Sequence, residues 1–199
     1  MWYEFHVWNG EFMVFYQVTM QHTEESFEAL SRMQYNLFCM RNRVSRTVIS
    51  LILAVVGVLN FSQWWGILIV AYGCYLTTST YSAANHTAHK LSAQIKDAGL
   101  SFPASRYVFR KDAMEIISLP EETRTGQPLP YSDILRLGED MNYYYIFRDQ
   151  FGGFMIPKAA LGDQAKDFRR FLEEKSGLTF RMRTAPVVHL LRSIRMRGN

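Results

Sequence analysis

No Asp, Glu, Lys or Arg occurs between Thr47 and Asn85, and the run is broken at its middle by Asn60-Phe61-Ser62-Gln63-Trp64-Trp65. One ionised side chain at mid-bilayer costs about 2.5 to 3.5 kcal/mol on the insertion scale, whereas each Leu, Ile or Val contributes only about 0.3 to 0.6. A charge-free run is therefore a stronger signal than high hydropathy alone. It predicts two apolar spans, at about residues 44–61 and 64–81, joined by a tight turn: a transmembrane hairpin with aqueous segments on both flanks. The first span is short of the roughly 20 residues a crossing needs, and Val44 and Phe61 extend it. Trp64 and Trp65 stand at the start of the second, where interfacial aromatics belong. A buried helical hairpin inside a soluble core is the alternative that the short first span favours.

The flanks set the orientation. Arg41, Arg43 and Arg46 precede the first span, Lys90 and Lys96 follow the second, and the turn holds no basic residue. Positive charge is retained on the cytoplasmic side, so a multi-pass protein of the cell membrane with both termini cytoplasmic is expected. Met1-Trp2-Tyr3-Glu4-Phe5-His6 lacks the basic and apolar regions of a cleavable signal peptide, so the hairpin itself is expected to target the chain.

On either side of the hairpin, residues 23–98 read as a helical stalk. Thr23-Glu24-Glu25 opens a helix whose Phe27, Leu30, Gln34 and Leu37 recur at helical steps and which can run straight into the membrane. After the second span, Ala84, Ala88, Leu91, Ile95 and Ala98 continue the period until Gly99 stops it. Two such stripes pair as antiparallel helices, or between subunits of a homo-oligomer. Ser50, Ala54 and Gly57 offer a small-residue face for such association.

Beyond Gly99 the period changes from helical to alternating. Strands are predicted at 105–109, 114–118, 129–131, 134–139, 143–147 and 154–157, with a loop rich in Pro, Gly and charge from Pro120 to Pro128. A helix capped by Asp163, with Phe168, Phe171 and Leu172 on its apolar face, ends at Gly177. Trp2 to Val7 and Glu11 to Val18 flank Trp8-Asn9-Gly10, a hairpin that is marginal alone and needs a partner sheet. Residues 1–20 are therefore expected to join the strands of 100–177. The fold class is α+β: a membrane hairpin with a helical stalk, plus a small antiparallel β domain of about seven strands closed by one helix, in the order of a pleckstrin-homology-like barrel.

These residues make the chain resemble the YcxB-like family of bacterial membrane proteins. The resemblance rests on Pro130-Tyr131-Ser132-Asp133-Ile134, on Tyr143-Tyr144-Tyr145-Ile146-Phe147, and on Phe154-Met155-Ile156-Pro157-Lys158-Ala159-Ala160-Leu161 before the helix of Phe168 and Phe171. It implies an amino-terminal strand pair, two membrane helices and a carboxy-terminal domain similar to pleckstrin-homology domains. It implies no activity. The arginine-rich tail, residues 178–199, departs from the family pattern.

That tail holds Arg181, Arg183, Arg192, Arg195 and Arg197 and no acid; without those five, 17 basic residues stand against 18 acidic ones. A nearly neutral body argues against a nucleic-acid footprint on the folded domain, and RNA binding by the tail, which lacks interleaved aromatics, is a third and poorer reading. Val187, Leu190, Leu191 and Ile194 fall at helical spacing beside Arg192 and Arg195, as in an amphipathic helix on an anionic leaflet; a disordered solubilising tail is the alternative. Arg41, Arg43, Arg46, Arg192, Arg195 and Arg197 are thus the candidate lipid contacts.

Chemistry is scarce elsewhere. His86 and His89 have metal-like spacing but no acid or cysteine near them in sequence, and Cys39 and Cys74 read as small apolar residues, with lipidation of Cys39 as the lesser alternative. No metal and no cofactor is expected. Asp133, Glu139 and Asp140 lie at strand ends, where turn capping and solvation are the ordinary roles, and no nucleophile stands beside a base. In the run Tyr143-Tyr144-Tyr145 alternate residues are core, which leaves Tyr144 as an exposed candidate ligand contact. The expected function is a non-enzymatic, membrane-anchored interaction module that recruits an unidentified protein. A module that binds or senses anionic membrane lipids through the basic tail is the alternative, and a subunit of an oligomeric transport or enzyme complex is the third.

Overall fold

The computed structural model describes residues 13–182, which form two compact units: residues 24–99, and residues 13–23 together with 100–182. The molecule is a mixed helix and sheet protein.

The helical unit has three helices, α1 (Glu24–Phe38), α2 (Met40–Leu59) and α3 (Trp64–Asp97). At a rise of 1.5 Å per residue the 34 residues of α3 extend roughly 50 Å, enough to pair with α1 and α2 in succession. The pairing is antiparallel throughout, because partner numbers fall along α3 as they rise along α1 and α2. Lys96 Nζ donates to Glu24 Oε2 (2.6 Å), Arg32 Nε to Asn85 Oδ1 (2.7 Å), the Arg43 guanidinium lies 5.1 Å from the centre of the Tyr81 ring, and Ser50 Oγ donates to the Gly73 carbonyl (2.7 Å).

Small residues set the seam. Gly66, Gly73, Thr80, Ala84, Ala88 and Ser92 are the buried residues of α3, and Ser50 and Gly57 those of α2. A Cβ on Gly57 would lie 2.5 Å from Val70 Cγ2 and 2.8 Å from the Gly66 carbonyl, so the backbones meet at a distance only glycine allows. The face of Ser50 and Gly57 expected to serve association between subunits is therefore used within the chain.

Among the described helices, α2 alone is long and apolar enough to cross a membrane. The second expected span is helical, but Thr77, Thr78, Ser79 and Thr80 dilute its apolar character. The passage from α1 into α2 is not continuous. The helix breaks at Cys39 (φ −106°, ψ 9°), although the Cys39 N–H still reaches the Tyr35 carbonyl at 3.0 Å. The buried stripe of α1 is Ser26, Met33, Asn36 and Leu37, rotated from the expected Phe27, Leu30, Gln34 and Leu37, and on α3 the buried Ser92 replaces the exposed Leu91. Close helix contact favours the smaller side chains over the more apolar ones. At the far end α3 stops as expected, with Gly99 in the left-handed region (φ +66°).

Among its described residues the sheet unit holds nine strands in two sheets. One has the order β1 (Tyr16–Gln21), β2 (Ala104–Phe109), β3 (Ala113–Leu119) and β4 (Thr123–Arg124), with β5 (Leu129–Pro130) also on β3; all its pairings are antiparallel. The other has the order β8 (Gly153–Pro157), β7 (Tyr143–Phe147), β6 (Arg136–Glu139) and β9 (Arg181–Met182), antiparallel except for the parallel pair β6 and β9. The described strands exceed the expected number of about seven, because two-residue strands such as β4 and β9 give no alternation to read. The strand expected at Glu11 to Val18 is observed as Tyr16–Gln21, in register with Phe109 to Ala104 on β2. Its expected partner, Trp2 to Val7, lies outside the described residues.

Helix α5 (Ala165–Ser176) closes the unit. Phe168, fully buried, meets Tyr16 edge-on at 5.1 Å and Phe109 at 4.8 Å, and the Tyr144 ring at 5.7 Å, so one side chain packs on both sheets. Phe171 contacts Phe15 and Tyr131. Gly177 ends the helix in the left-handed region (φ +68°), as expected, but its N-terminal flank is Gln164 without a side-chain cap. Asp163 lies one residue earlier, in the 3-10 turn Gly162–Gln164, and does not cap it.

Candidate functional site

An ionic cluster around one buried carboxylate lies where β6, the short helix α4 (Lys158–Leu161), α5 and the segment after Gly177 converge. Glu139, at the end of β6, is almost wholly buried, and its two carboxylate oxygens accept from Lys158 Nζ (3.3 Å) and Arg169 Nε (3.2 Å). The network extends outward: Arg169 Nη1 donates to Glu173 Oε2 (2.9 Å), and the Phe180 N–H donates to the other oxygen of Glu173 (2.9 Å). Lys158 Nζ also donates to the Asp140 carbonyl at 2.6 Å and lies 4.5 Å from the centre of the Tyr144 ring. A buried charge persists only when paired and hydrogen-bonded, and Glu139 meets both conditions. The ordinary strand-end roles expected for these acids hold for Asp140, whose carboxylate accepts the N–H groups of Asn142 (2.9 Å) and Tyr143 (2.8 Å). They fail for Glu139, which is neither solvated nor capping.

Tyr144 is corrected. It is 3% exposed and donates its hydroxyl to the Ala165 carbonyl at 2.9 Å, so it is not free to contact a ligand. Alternation along a strand leaves Tyr144 exposed only where one face of the sheet is covered. In fact β7 is buried on both faces from Tyr144 to Phe147, with Tyr144 turned toward α5 and Tyr145 toward Asp140. Burial raises the pKa of the Tyr144 phenol, and the nearby charge of Glu139 adds to the rise. Tyr107 is pushed up to about 12 and Tyr131 is raised as well, both chiefly by burial. At neutral pH these phenols act as hydrogen-bond donors, as Tyr131 does to the Arg110 carbonyl at 2.8 Å.

The segment after Gly177 belongs to this unit as far as Met182, so the expected domain boundary at 177 moves. Phe180 is buried, 5.0 Å from the Tyr144 ring centre and 5.5 Å from the Arg169 guanidinium, and Arg181 and Met182 pair with Gly138 and Glu139. Arg192, Arg195 and Arg197 lie outside the described residues. Arg41 and Arg46 are exposed in the first two turns of α2, and Arg43 is half-buried against Tyr81. The sequence from Ala29 to Lys96 contains no acid at all, so no carboxylate of this stretch offsets the three arginines.

His89, read in sequence without an acid beside it, lies 3.4 Å from Glu24 and 3.1 Å from Glu28, both brought across from α1. Lys96 already holds Glu24, and its hydrogen bond and charge lower the Glu24 pKa. Among the described residues no group of three His, Cys, Asp or Glu is placed to hold a metal ion. The sheet unit also carries an open cavity of about 410 Å³ between β3, β5 and the β7–β8 turn, lined by Ile116, Leu129, Phe154 and Arg148 among others.

The (i, i+4) spacing of Arg169 and Glu173 is visible in the sequence; that Glu139 joins them is not, because it comes from a strand 30 residues away. Residues 122–172, which contain Glu139, Lys158 and Arg169, match the model of the YcxB-like protein family, and over this segment the resemblance read from the sequence is shown. The chain matches no curated protein and no solved structure.

Proposed function

We propose that this chain, with its YcxB-like segment at residues 122–172, is a non-enzymatic interaction module anchored in the cell membrane by a helical hairpin, its pleckstrin-homology-like sheet unit recruiting a cytoplasmic protein. The observation that carries the membrane anchor in this reading is the inverted polarity of α2 and α3. Their small and hydroxylated residues are inside, while Leu51, Ile52, Val55, Leu59, Ile67 and Leu68 face outward, with Trp64 74% exposed at the turn. In water, apolar surface of this extent is unfavourable; in hydrocarbon it is the ordinary arrangement, with helix contact supplied by small-residue packing. The polar residues of α3 fit as well. Thr77 and Thr80 return their hydroxyls to the Gly73 and Leu76 carbonyls (3.2 and 2.7 Å), so the second helix crosses without unsatisfied donors there despite its lower hydropathy.

The lipid reading is second, favoured by the acid-free stretch around Arg41, Arg43 and Arg46 at the start of α2, where anionic head groups would gather. A transport or enzyme subunit is less supported, because the small-residue face that oligomers would use is occupied by α3.

The test is cysteine accessibility in native membranes, in a variant whose Cys39 and Cys74 are replaced by Ser. A membrane-impermeant maleimide added from outside should label Ser62→Cys in the turn, whereas Ser101→Cys should react only after the membrane is opened. Labelling of both from the same side, or extraction of the full chain by alkaline carbonate, would refute a two-span anchor.

A further inference from the structure

The open cavity of the sheet unit lies beside a side chain suited to fill it. Ile116, Leu129 and Phe154 make its apolar lining, the exposed loop 125–127 forms one rim, and the β7–β8 turn supplies the other with Arg148, Asp149 and Gly152. Phe151 stands on that turn and is 83% exposed, so its ring does not occupy the cavity at its own side. The backbone from which the ring projects is fixed, because one Asp149 oxygen accepts the N–H groups of Phe151 (2.7 Å) and Gly152 (3.1 Å). The other Asp149 oxygen lies 3.9 Å from Arg148 Nε, the outer limit of an ion pair, with both side chains well exposed. A surface that meets a copy of itself across a two-fold axis must carry both halves of every contact. This turn does so, with a projecting aromatic ring beside an apolar cavity and a cation beside an anion.

From this self-complementarity we infer that the sheet units of two copies of the chain pair through the β7–β8 turn. The Phe151 ring of each copy enters the cavity of the other, and Arg148 of each faces Asp149 of the other. A partner of different chemistry would require only one half of each contact from this surface; the presence of both halves on one turn selects a second copy. Two rings seated in this way bury about 300 to 500 Å² of aromatic surface before the rims are counted, the range of a weak, concentration-dependent contact and not of an obligate dimer. The small-residue face of α2 is closed within the chain by α3, so the pairing uses a surface separate from the helices. It rests on the sheet unit alone and stands independently of the membrane reading.

The test uses the full chain on a Cys39→Ser, Cys74→Ser background. In mild detergent, the protein mass per particle should pass from one chain to two as concentration rises. Phe151→Asp should raise the dissociation constant about tenfold or more, and so should Arg148→Glu, which sets like charges against each other. Both residues are exposed, so the far-ultraviolet circular dichroism of these variants should match that of the parent. In native membranes, two differently tagged variants, Gln127→Cys and Gln150→Cys, are expressed together and treated with a short bismaleimide; each carries one cysteine, so any product joins two chains. The 127–150 product should form with Phe151 intact and disappear when Phe151→Asp is added to both copies. Met141→Cys, at the opposite end of β7, paired with Gln127→Cys supplies the background. A single chain per particle at every concentration, a 127–150 yield no greater than the 127–141 yield, or a dimer that Phe151→Asp leaves unchanged each overturns the pairing. A different protein or a small molecule in the cavity would give a mixed complex or a lone chain in place of the 127–150 product, and would overturn it equally.

Discussion

His22 shows how a single residue links sequence to pH behaviour. It sits between β1 and α1 with its N–H on the Pro103 carbonyl (3.0 Å), and its side chain is buried. Burial penalises the charged imidazole and lowers its pKa below the ordinary value of about 6.5. The folded state then binds fewer protons than the unfolded chain in the interval below that value. Stability is fully present above about pH 6.5 and is lost as pH falls below it toward the folded pKa. We expect the thermal midpoint of the full chain in mild detergent to drop between pH 7 and pH 5.5, and His22→Gln to flatten that slope. A His22→Gln variant with an unchanged slope would assign the dependence to another group.

At the scale of elements, the hairpin is decided by glycine. A Cβ on Gly66 would strike the Asn60 carbonyl, and one on Gly57 meets backbone as well as the Val70 side chain; neither contact can be relieved by turning a flexible side chain alone. Gly66→Leu should therefore separate α2 from α3 and destabilise their packing by about 1 to 3 kcal/mol, the usual cost of overpacking. Ala71→Leu, on the exposed face five residues on, should leave it unchanged. Unfolding in a detergent titration distinguishes the two, and equal midpoints would mean that the close approach is not what holds the helices. The same scale explains the rotated stripe of α1. Apolar periodicity locates a helix face to within one position, but the side chains that fit a close seam are chosen by size, so Ser26 and Ser92 are buried where Phe27 and Leu91 were expected.

For the molecule as a whole, the segment 178–182 is the element whose importance is least visible from its length. Phe180 covers Tyr144 and joins the Arg169–Glu173 pair, and β9 covers the outer edge of β6. Ending the chain at Gly177 should lower the stability of the sheet unit by about 1.5 to 3 kcal/mol, the burial value of one large apolar side chain, whereas ending it at Met182 should cost little. Thermal midpoints of the two truncations in the same detergent provide the comparison; identical values would return the boundary to Gly177.

What the sequence determined by itself was whatever depends on local pattern: the charge-free run, the antiparallel β character after Gly99, the strand Tyr143–Phe147 to the residue, the stops at Gly99 and Gly177, and the family resemblance over 122–172. These follow from period, from charge and from backbone constraints that act within a few residues. The tertiary structure alone decided which polar groups meet. Glu139 and Arg169, Phe180 and Tyr144, and His89 and Glu24 are far apart in the chain, and two-residue strands such as β9 exist only because a neighbouring edge supplies their hydrogen bonds. Tyr144 changed from exposed contact to core for the same reason: alternation along a strand says which side chains share a face, but only packing says whether that face is covered.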